Sequence, residues 1–212
     1  MDIRLLASKS AAVVTAFCLT LPFTAASLLV PREAEATILP GYPKGMLLTV
    51  TTDVATSKVY SLSPDFSTLM VLSAAPQAEF DPEYSPDGTK IAFTRATTNR
   101  DIYVMNADGT EVSQLTNHAT FQQTPHWSPD GSQITFYSNH EGNNEIYAMD
   151  ADGANVTRLT NNAASDAFGN WSPDGSKIVF TSSRAGGAGL QDIWSMDANG
   201  GNPVNLKNTR YV

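Results

Sequence analysis

Three histidines, His118, His126 and His140, are the side chains best suited to acid–base or metal chemistry, and they lie close together along the chain. Their spacing does not match the His-Glu-x-x-His pattern of a zinc site. The chain also lacks a Gly-x-Ser-x-Gly nucleophile elbow and a Gly-x-x-x-x-Gly-Lys phosphate loop. The sequence therefore predicts a protein that is not an enzyme, with no catalytic residues, no metal site and no cofactor.

Carboxylate-rich turns are a second possible source of chemistry. Asn106, Asp150 and Asp197 each open an Asx-Ala-Asx-Gly pattern, which resembles the first residues of a calcium-binding loop. Such a loop also needs a carboxylate at its twelfth position, and counting from Asp150 that position holds the neutral Asn161. We therefore predict hairpin turns, in which the glycine supplies a left-handed backbone position.

Three different polar residues, Glu83, His126 and Asn170, occupy the same place in a repeated motif, directly before an aromatic residue and Ser-Pro-Asp-Gly. Because side chains alternate along a strand, these residues should face away from the aromatic side chain, toward a central channel or its mouth. They suit a polar funnel that binds a ligand, and they equally suit a water-filled channel. We select them as candidate binding residues, and His126 beside Glu83 predicts a pH-dependent contact.

The motif belongs to a tandem repeat. Ser-Pro-Asp-Gly occurs at 85–88, 128–131 and 172–175, with spacings of 43 and 44 residues. A degenerate copy precedes these three, because 59–65 aligns without gaps on 102–108. A fixed period of this length indicates one supersecondary unit copied along the chain. The predicted units are 38–80, 81–123, 124–167 and 168–212.

Each unit reads as four short strands rich in β-branched and aromatic residues. In the second unit the predicted strands A to D are 82–85, 90–94, 101–105 and 111–116. Four-stranded units of this length are the blades of a β-propeller, so we predict an all-β propeller of four antiparallel blades. A blade is covered on both sides by its neighbours and needs apolar residues on both faces. The predicted core residues are Tyr84, Ile91, Phe93, Trp127, Ile134, Phe136, Trp171, Ile178 and Phe180.

The pattern aromatic-Ser-Pro-Asp-Gly-x-x-Ile-x-Phe, followed by Ile-aromatic-x-Met-x-Ala-Asp-Gly, resembles the TolB-type β-propeller repeat. The resemblance covers the chain after residue 37 and is to the repeat, not to a complete TolB protein. It implies a non-catalytic scaffold of the bacterial envelope that binds a protein or peptide partner. The same repeat also resembles the propellers of sugar-acid lyases and of peptidases, so a metal-dependent lyase or a peptidase-associated propeller is the alternative.

Residues 1–36 resemble a secretory signal peptide. Arg4 and Lys9 precede an apolar stretch at 11–30, and Ala34 and Ala36 stand where a signal peptidase reads small residues. An uncleaved membrane anchor is the alternative. Cleavage would remove the only cysteine, Cys18, and predicts a periplasmic or secreted protein without stable membrane insertion. The net charge of −8 argues against nucleic acid as a partner.

Comparison of the units separates two kinds of connection. The A–B and C–D turns are nearly invariant, whereas the B–C and D–A connections differ from unit to unit. Binding on the variable side and neutral drift in solvent both remain open. The variable connections are 95–100, 138–144 and 182–191 between strands B and C, and 74–80, 117–123 and 161–167 between units.

Four blades also leave the closure of the ring open. The chain could be part of a longer propeller, a four-bladed ring, or one half of a homodimer that completes an eight-bladed ring.

Overall fold

The computed structural model describes residues 46–50, 57–63, 67–184 and 191–206, and for 46–50 it describes the backbone alone. The predicted signal peptide and Cys18 lie outside the described residues. Every regular element in the described ranges is a β-strand. Within these ranges no helix is long and apolar enough to cross a lipid bilayer.

The strands form four antiparallel sheets that follow one another along the chain. The second, third and fourth sheets have four strands, in the order in which they occur in the sequence. These are the predicted blades, so the all-β propeller prediction is confirmed. The strands of these sheets are β4 Ala78–Tyr84, β5 Lys90–Ala96, β6 Arg100–Asn106, β7 Ser113–Gln114, β8 Gln122–Trp127, β9 Gln133–Ser138, β10 Glu145–Asp150, β11 Thr157–Arg158, β12 Asp166–Trp171, β13 Lys177–Ser182, β14 Asp192–Asp197 and β15 Val204–Asn205.

The first sheet contains three strands within the described residues. They are β1 Met46–Val50, β2 Lys58–Leu62 and β3 Leu69–Val71. The central strand β2 falls where the degenerate copy of the repeat predicts strand C. The position expected for its strand A lies outside the described residues.

Apolar side chains fill the spaces between successive sheets. Three hydrophobic clusters join the first sheet to the second, the second to the third and the third to the fourth. Because both faces of the second and third sheets are covered, truncating one of these side chains to alanine should lower the free energy of unfolding by about 2–5 kcal/mol. Residues from the two sides of each cluster include Val59 and Phe93, Ala92 and Trp127, and Tyr137 and Phe180.

The predicted core residues occupy these clusters. Tyr84 and Trp171 are partly buried at the cluster edges, and Trp127 is only 6% exposed. The six isoleucine and phenylalanine residues of strand B, predicted as core from their spacing, are at most 2% exposed. The core interpretation of the aromatic position is confirmed.

The innermost strands are longer than the sequence predicted, and they begin two or three residues before the repeat boundaries. Strand A of the second unit was predicted at 82–85, whereas β4 starts at Ala78. Residues 78–80, 122–123 and 166–167, which were assigned to variable connections, are therefore strand. The physical reason is a β-bulge within each inner strand: pairing with strand B continues on both sides of the bulge, and residue composition and turn signals do not reveal this.

The outermost strands are shorter than predicted. Strand D of the second unit was predicted at 111–116, whereas β7 contains only Ser113 and Gln114. Glu111 has a left-handed backbone with φ of 52° and lies outside the strand. Leu115 still donates its N–H to Ile102 O at 2.8 Å, so the chain stays attached to the blade beyond the strand.

The turns that recur in each unit bring neighbouring sheets together at one end. Gly109 and Gly200 have φ of 87° and 85°. A Cβ atom at Gly109 would lie 2.2 Å from Leu72 O, and one at Gly200 would lie 2.5 Å from Leu159 O, both in the preceding sheet. The Asx-Ala-Asx-Gly motif is a hairpin turn whose glycine also allows close packing of the sheets. We call this end of the sheets, with the A–B and C–D turns, the turn face, and the opposite end the loop face.

Candidate functional site

Glu83 and His126 form a polar contact between two neighbouring inner strands, β4 and β8. His126 Nδ1 lies 3.1 Å from Glu83 Oε2, and both side chains are 16% exposed. The same carboxylate oxygen accepts the N–H of Trp127 at 3.0 Å. Glu83 therefore connects the second sheet to the third, and the structure brings two of the three predicted site residues together.

Asn170 lies on the next inner strand, β12, and is exposed. It pairs with Val179 in the sheet, and its side chain makes no hydrogen bond within the described residues. The three predicted residues thus occupy equivalent positions, but Asn170 is not part of the Glu83–His126 contact. An exposed amide of this kind is free to donate and accept hydrogen bonds.

Three further residues belong to this surface, and sequence reasoning did not identify them. Asp81, Thr124 and Phe168 stand at the bulges of the inner strands, two residues before Glu83, His126 and Asn170, and have φ of 50°, 58° and 59°. A positive φ is unusual for these residue types, above all for a β-branched threonine. The spacings of 43 and 44 residues would have revealed this position. The period-2 alternation concealed it.

Hydrogen bonds hold the bulges against one another. Thr124 Oγ1 donates to Asp81 Oδ2 at 3.2 Å, and Thr124 N donates to Thr94 Oγ1 at 3.0 Å. Phe168 is 49% exposed, and its ring centroid lies 5.4 Å from that of Tyr137. We call these three residues, together with Glu83, His126 and Asn170, the inner surface.

Asp81 has an unusual environment on this surface. Its side chain is reached by solvent, yet the surrounding protein displaces enough water for desolvation to raise the pKa of its carboxyl group. The hydrogen bond from Thr124 and the positive charge of Arg100 oppose that rise. The guanidinium of Arg100 in turn donates to Gln123 Oε1 at 2.6 Å. The inner surface therefore combines carboxylates, an imidazole, a hydroxyl, an amide and an aromatic ring.

The inner surface and the variable loops lie at different levels of the blade. Glu83 pairs with Ala92 near the turn face, whereas Ala78 pairs with Ala96 at the loop-face end of β4. A strand rises about 3.3 Å per residue, so roughly 15 Å separates these two levels. The predicted site residues and the variable loops are therefore two distinct candidate surfaces.

The other two histidines lie on the loop face. The ring centroids of His118 and His140 are 4.6 Å apart, and His140 Nε2 lies 3.3 Å from Glu141 Oε1. His140 Nδ1 is 3.0 Å from Ser138 Oγ, but Ser138 is fully buried and inaccessible to a substrate. In the described part of the chain, no three histidine, cysteine, aspartate or glutamate side chains are grouped to hold a metal ion.

The loop face is held by buried ion pairs. Glu79, Glu145 and Asp166 are fully buried. Arg95 lies 2.7 Å from Glu79, Arg158 lies 3.0 Å from Glu145, and Arg184 lies 2.5 Å from Asp166. Sequence reasoning missed all three pairs. Glu79 and Asp166 occupy equivalent positions, but their arginine partners do not, and the pair of the third blade lies on other strands.

Known proteins share this architecture. The family model of the TolB beta propeller domain matches residues 50–211. A structure from Agrobacterium tumefaciens described as TolB is 29% identical, with a TM-score of 0.68 over 76% of this chain and 60% of that one. TolB from Acinetobacter baumannii is 26% identical, with a TM-score of 0.64 over 76% of this chain and 40% of that one.

More distant structures share the fold alone. An oligogalacturonate lyase in complex with manganese is 22% identical, with a TM-score of 0.56 over 72% of this chain and 43% of that one. No curated protein sequence matches the chain. The chain spans less than two thirds of the TolB structures that it resembles. Its match to the family model extends over most of its length, and the chain belongs to the TolB beta propeller domain family.

Proposed function

We propose that this protein is a non-catalytic scaffold that binds a protein or peptide partner in the bacterial envelope through its inner surface. The observation that carries the proposal is the alignment of three bulged strands. They present Asp81, Thr124 and Phe168, with Glu83, His126 and Asn170, on one surface held by hydrogen bonds between blades. A preformed surface with polar groups and an exposed ring loses little entropy when a partner binds.

Location in the periplasm or outside the cell is part of the proposal. It rests on the signal-peptide pattern at residues 1–36 and on membership of the TolB beta propeller domain family. The amino terminus of the protein recovered from a periplasmic extract tests it. We expect the processed chain to begin at Thr37, and recovery of an intact amino terminus in the membrane fraction would contradict it.

Partner capture from envelope extract tests the inner surface. In the variant F168A/N170A two exposed side chains are truncated, and we expect recovery of crosslinked partners to fall strongly relative to the unmodified protein. The matched control is V112A/V156A, which truncates two exposed side chains of the outer edge, and should recover partners normally. Equal recovery by both variants would refute a role for the inner surface.

The loop face is the second candidate for this binding. Its connections differ between blades, and replacing 139–144 with a glycine–serine segment of equal length tests it separately. If that variant loses the partner while F168A/N170A retains it, binding belongs to the loop face.

A metal-dependent lyase or a peptidase-associated propeller is the competing proposal. It draws on the shared fold of the oligogalacturonate lyase in complex with manganese. Glu83 and His126 are two adjacent groups of the kind that bind manganese or zinc, and a lyase site would need further ligands. Metal analysis of the purified protein separates the two proposals, because a stoichiometric transition metal would overturn the plain scaffold.

Association of two copies is a further part of the proposal. Ile193 on the fourth sheet is 52% exposed, whereas the equivalent Ile102 and Ile146 are fully buried. Val179 on the same sheet is 36% exposed, whereas the equivalent Ala92 is fully buried. Leu69, on the first sheet, is 43% exposed. Apolar faces at both ends of the stack suit a head-to-tail homodimer. Size-exclusion chromatography with light scattering should give twice the mass of one chain, and a monomer would refute the association.

A further inference from the structure

A groove lies between the second and third sheets at the turn face. Its volume is about 530 Å³. Four apolar residues contribute to its lining: Val104, Leu115, Trp127 and Ala151. All four belong to the hydrophobic cluster between these sheets or pack against it. The groove therefore gives access from solvent to the edge of an interblade core.

The rim of this groove is strongly acidic. Asp87, Glu111, Asp130 and Asp152 line it and are exposed, and Lys90 is the single cation among the lining residues. Hydrogen bonds from Ser128 and Ser132 lower the pKa of Asp130 to about 2, so this carboxylate is ionised at any physiological pH. An apolar lining with a negative rim is complementary to a chain segment that is both apolar and positively charged.

The next pair of sheets provides an internal comparison. At the positions equivalent to Glu111 and Asp152, the following repeat has Asn155 and Asn199, which are neutral. Gln133 replaces Lys90 at the equivalent position. Glu111 and Asp152 are therefore particular to this groove, whereas Asp87 and Asp130 belong to the repeated turn and have counterparts in Asp130 and Asp174 at the next pair of sheets.

The backbone at Glu111 strengthens this contrast. Glu111 has φ of 52°, and the equivalent Asn155 and Asn202 have φ of 52° and 50°. Asparagine tolerates this left-handed conformation better than glutamate. The second repeat thus carries a charge at a position where the other two carry the residue that suits the backbone.

We propose that this groove docks an extended peptide segment that carries a lysine or arginine next to an apolar side chain. The apolar side chain contacts the lining, and the basic group lies among the rim carboxylates. None of the six inner-surface residues lines the groove, so variants of the two sites test this proposal independently of the function proposed above.

A labelled octapeptide with two lysines flanking a leucine is the probe, and fluorescence anisotropy with the full chain measures its binding. We expect the peptide with glutamates in place of the lysines to show no binding, and the peptide with glycine in place of the leucine to bind several-fold more weakly. Since rim charges act through a screened interaction, raising the salt from about 20 mM to about 300 mM should also weaken binding several-fold.

The variant E111N/D152N copies the residues of the neighbouring repeat into the groove. Two exposed charges each contribute a modest amount, so we expect binding to weaken about five-fold. The matched control D108N/D150N removes two carboxylates from the same face outside the lining, and should change affinity less than two-fold. The variant E111N/D152N should unfold at the same or a higher temperature than the parent, because asparagine suits the left-handed backbone at 111 and Asn199 accepts the equivalent turn hydrogen bond in the next repeat. Weaker binding can then not be attributed to unfolding.

Four results would overturn the proposal. They are undetectable binding of the lysine peptide, equal binding of the glutamate peptide, an equal loss of affinity in D108N/D150N, and equal binding of a polyamine that has no apolar side chain. The last result would identify the rim as a general cation-attracting surface without a peptide groove.

Discussion

The turn face and the loop face of the same blades are stabilised in opposite ways. At the turn face one hydrogen bond recurs unchanged, since Ser85, Ser128 and Ser172 each donate to the aspartate two residues later at 2.6 Å. At the loop face each of the three four-stranded blades has its own buried ion pair. The difference teaches that variable sequence is not the same as unconstrained sequence, because the diverging connections are fixed by contacts as specific as those of the repeated turns.

The third blade shows how far the loop face has diverged. The position of the buried Glu79 and Asp166 is held there by the neutral Gln122, and the buried acid is Glu145 on a different strand. Gln122 Nε2 donates to Ser138 Oγ at 3.3 Å, where the second blade has Arg95. One blade has thus moved its ion pair from strands A and B to strands C and D.

The largest expected effect on stability comes from breaking an ion pair of the loop face. In the variant R95S the fully buried Glu79 loses the guanidinium that donates to it at 2.7 and 3.0 Å. A buried carboxylate without its positively charged partner is destabilising, so we expect the free energy of unfolding to fall by about 3–5 kcal/mol. Unfolding in guanidinium chloride measures this change.

The double variant E79Q/R95S provides the control. It copies the neutral Gln122–Ser138 pair of the third blade into the second blade, and we expect it to recover at least half of the loss. If the double variant is no more stable than R95S, packing of the arginine stem, and not its charge, stabilises the loop face.

The second prediction compares a glycine of each face. In G109A the new methyl group meets Leu72 O of the preceding sheet, at a backbone φ of 87°, so clash and strain add to a loss of about 2–4 kcal/mol. Gly142 on the loop face has φ of 121°, and an added Cβ would have no atom within 4 Å. The free energy of unfolding of G142A should therefore fall by only about 1–2 kcal/mol. Equal losses in thermal unfolding would show that sheet contact at the turn is unimportant.

The third prediction concerns the turn carboxylates. In the variant S128A, Asp130 loses the hydrogen bond from Ser128, and we expect the pKa of its carboxyl group to rise from about 2 toward 3.8. The free energy of unfolding at neutral pH should fall by about 1 kcal/mol because this hydrogen bond is lost. A carboxylate with a lowered folded-state pKa contributes stability above its unfolded pKa, and this is lost as the pH falls through the folded value. The unmodified protein should therefore lose more stability than S128A between about pH 4 and pH 2. Carboxyl titration by NMR provides the check, and an unchanged pKa in S128A would contradict it.

The smallest expected effect on stability comes from a substitution on the inner surface. Desolvation raises the pKa of Asp81, so its ionised form costs stability once the pH is above that pKa. We expect the free energy of unfolding of D81N at pH 7 to equal or slightly exceed that of the unmodified protein, because asparagine carries no charge and tolerates φ of 50°. The gain should disappear at low pH, where Asp81 is protonated. A loss of stability at pH 7 would show that its charge is favourable.

Part of the candidate site was predictable. The position of Glu83, His126 and Asn170 follows from one motif, and the structure places Glu83 and His126 in contact. The bulged residues Asp81, Thr124 and Phe168 were not predictable from alternation, because a bulge inserts a residue that alternation cannot anticipate.

The sequence alone determined the blade, since turn residues at a period of 43 and 44 and apolar residues on both faces of each strand leave few other ways to bury the apolar surface. Only the tertiary structure decided which side chains meet across blades: the 43-residue contacts of Asp81 with Thr124 and of Glu83 with His126, the buried pairs of the loop face, and the acidic groove. The physical reason is that turn and strand chemistry act within a few residues of the chain. Ion pairs and grooves arise between residues from different strands or blades, and folding alone brings them together.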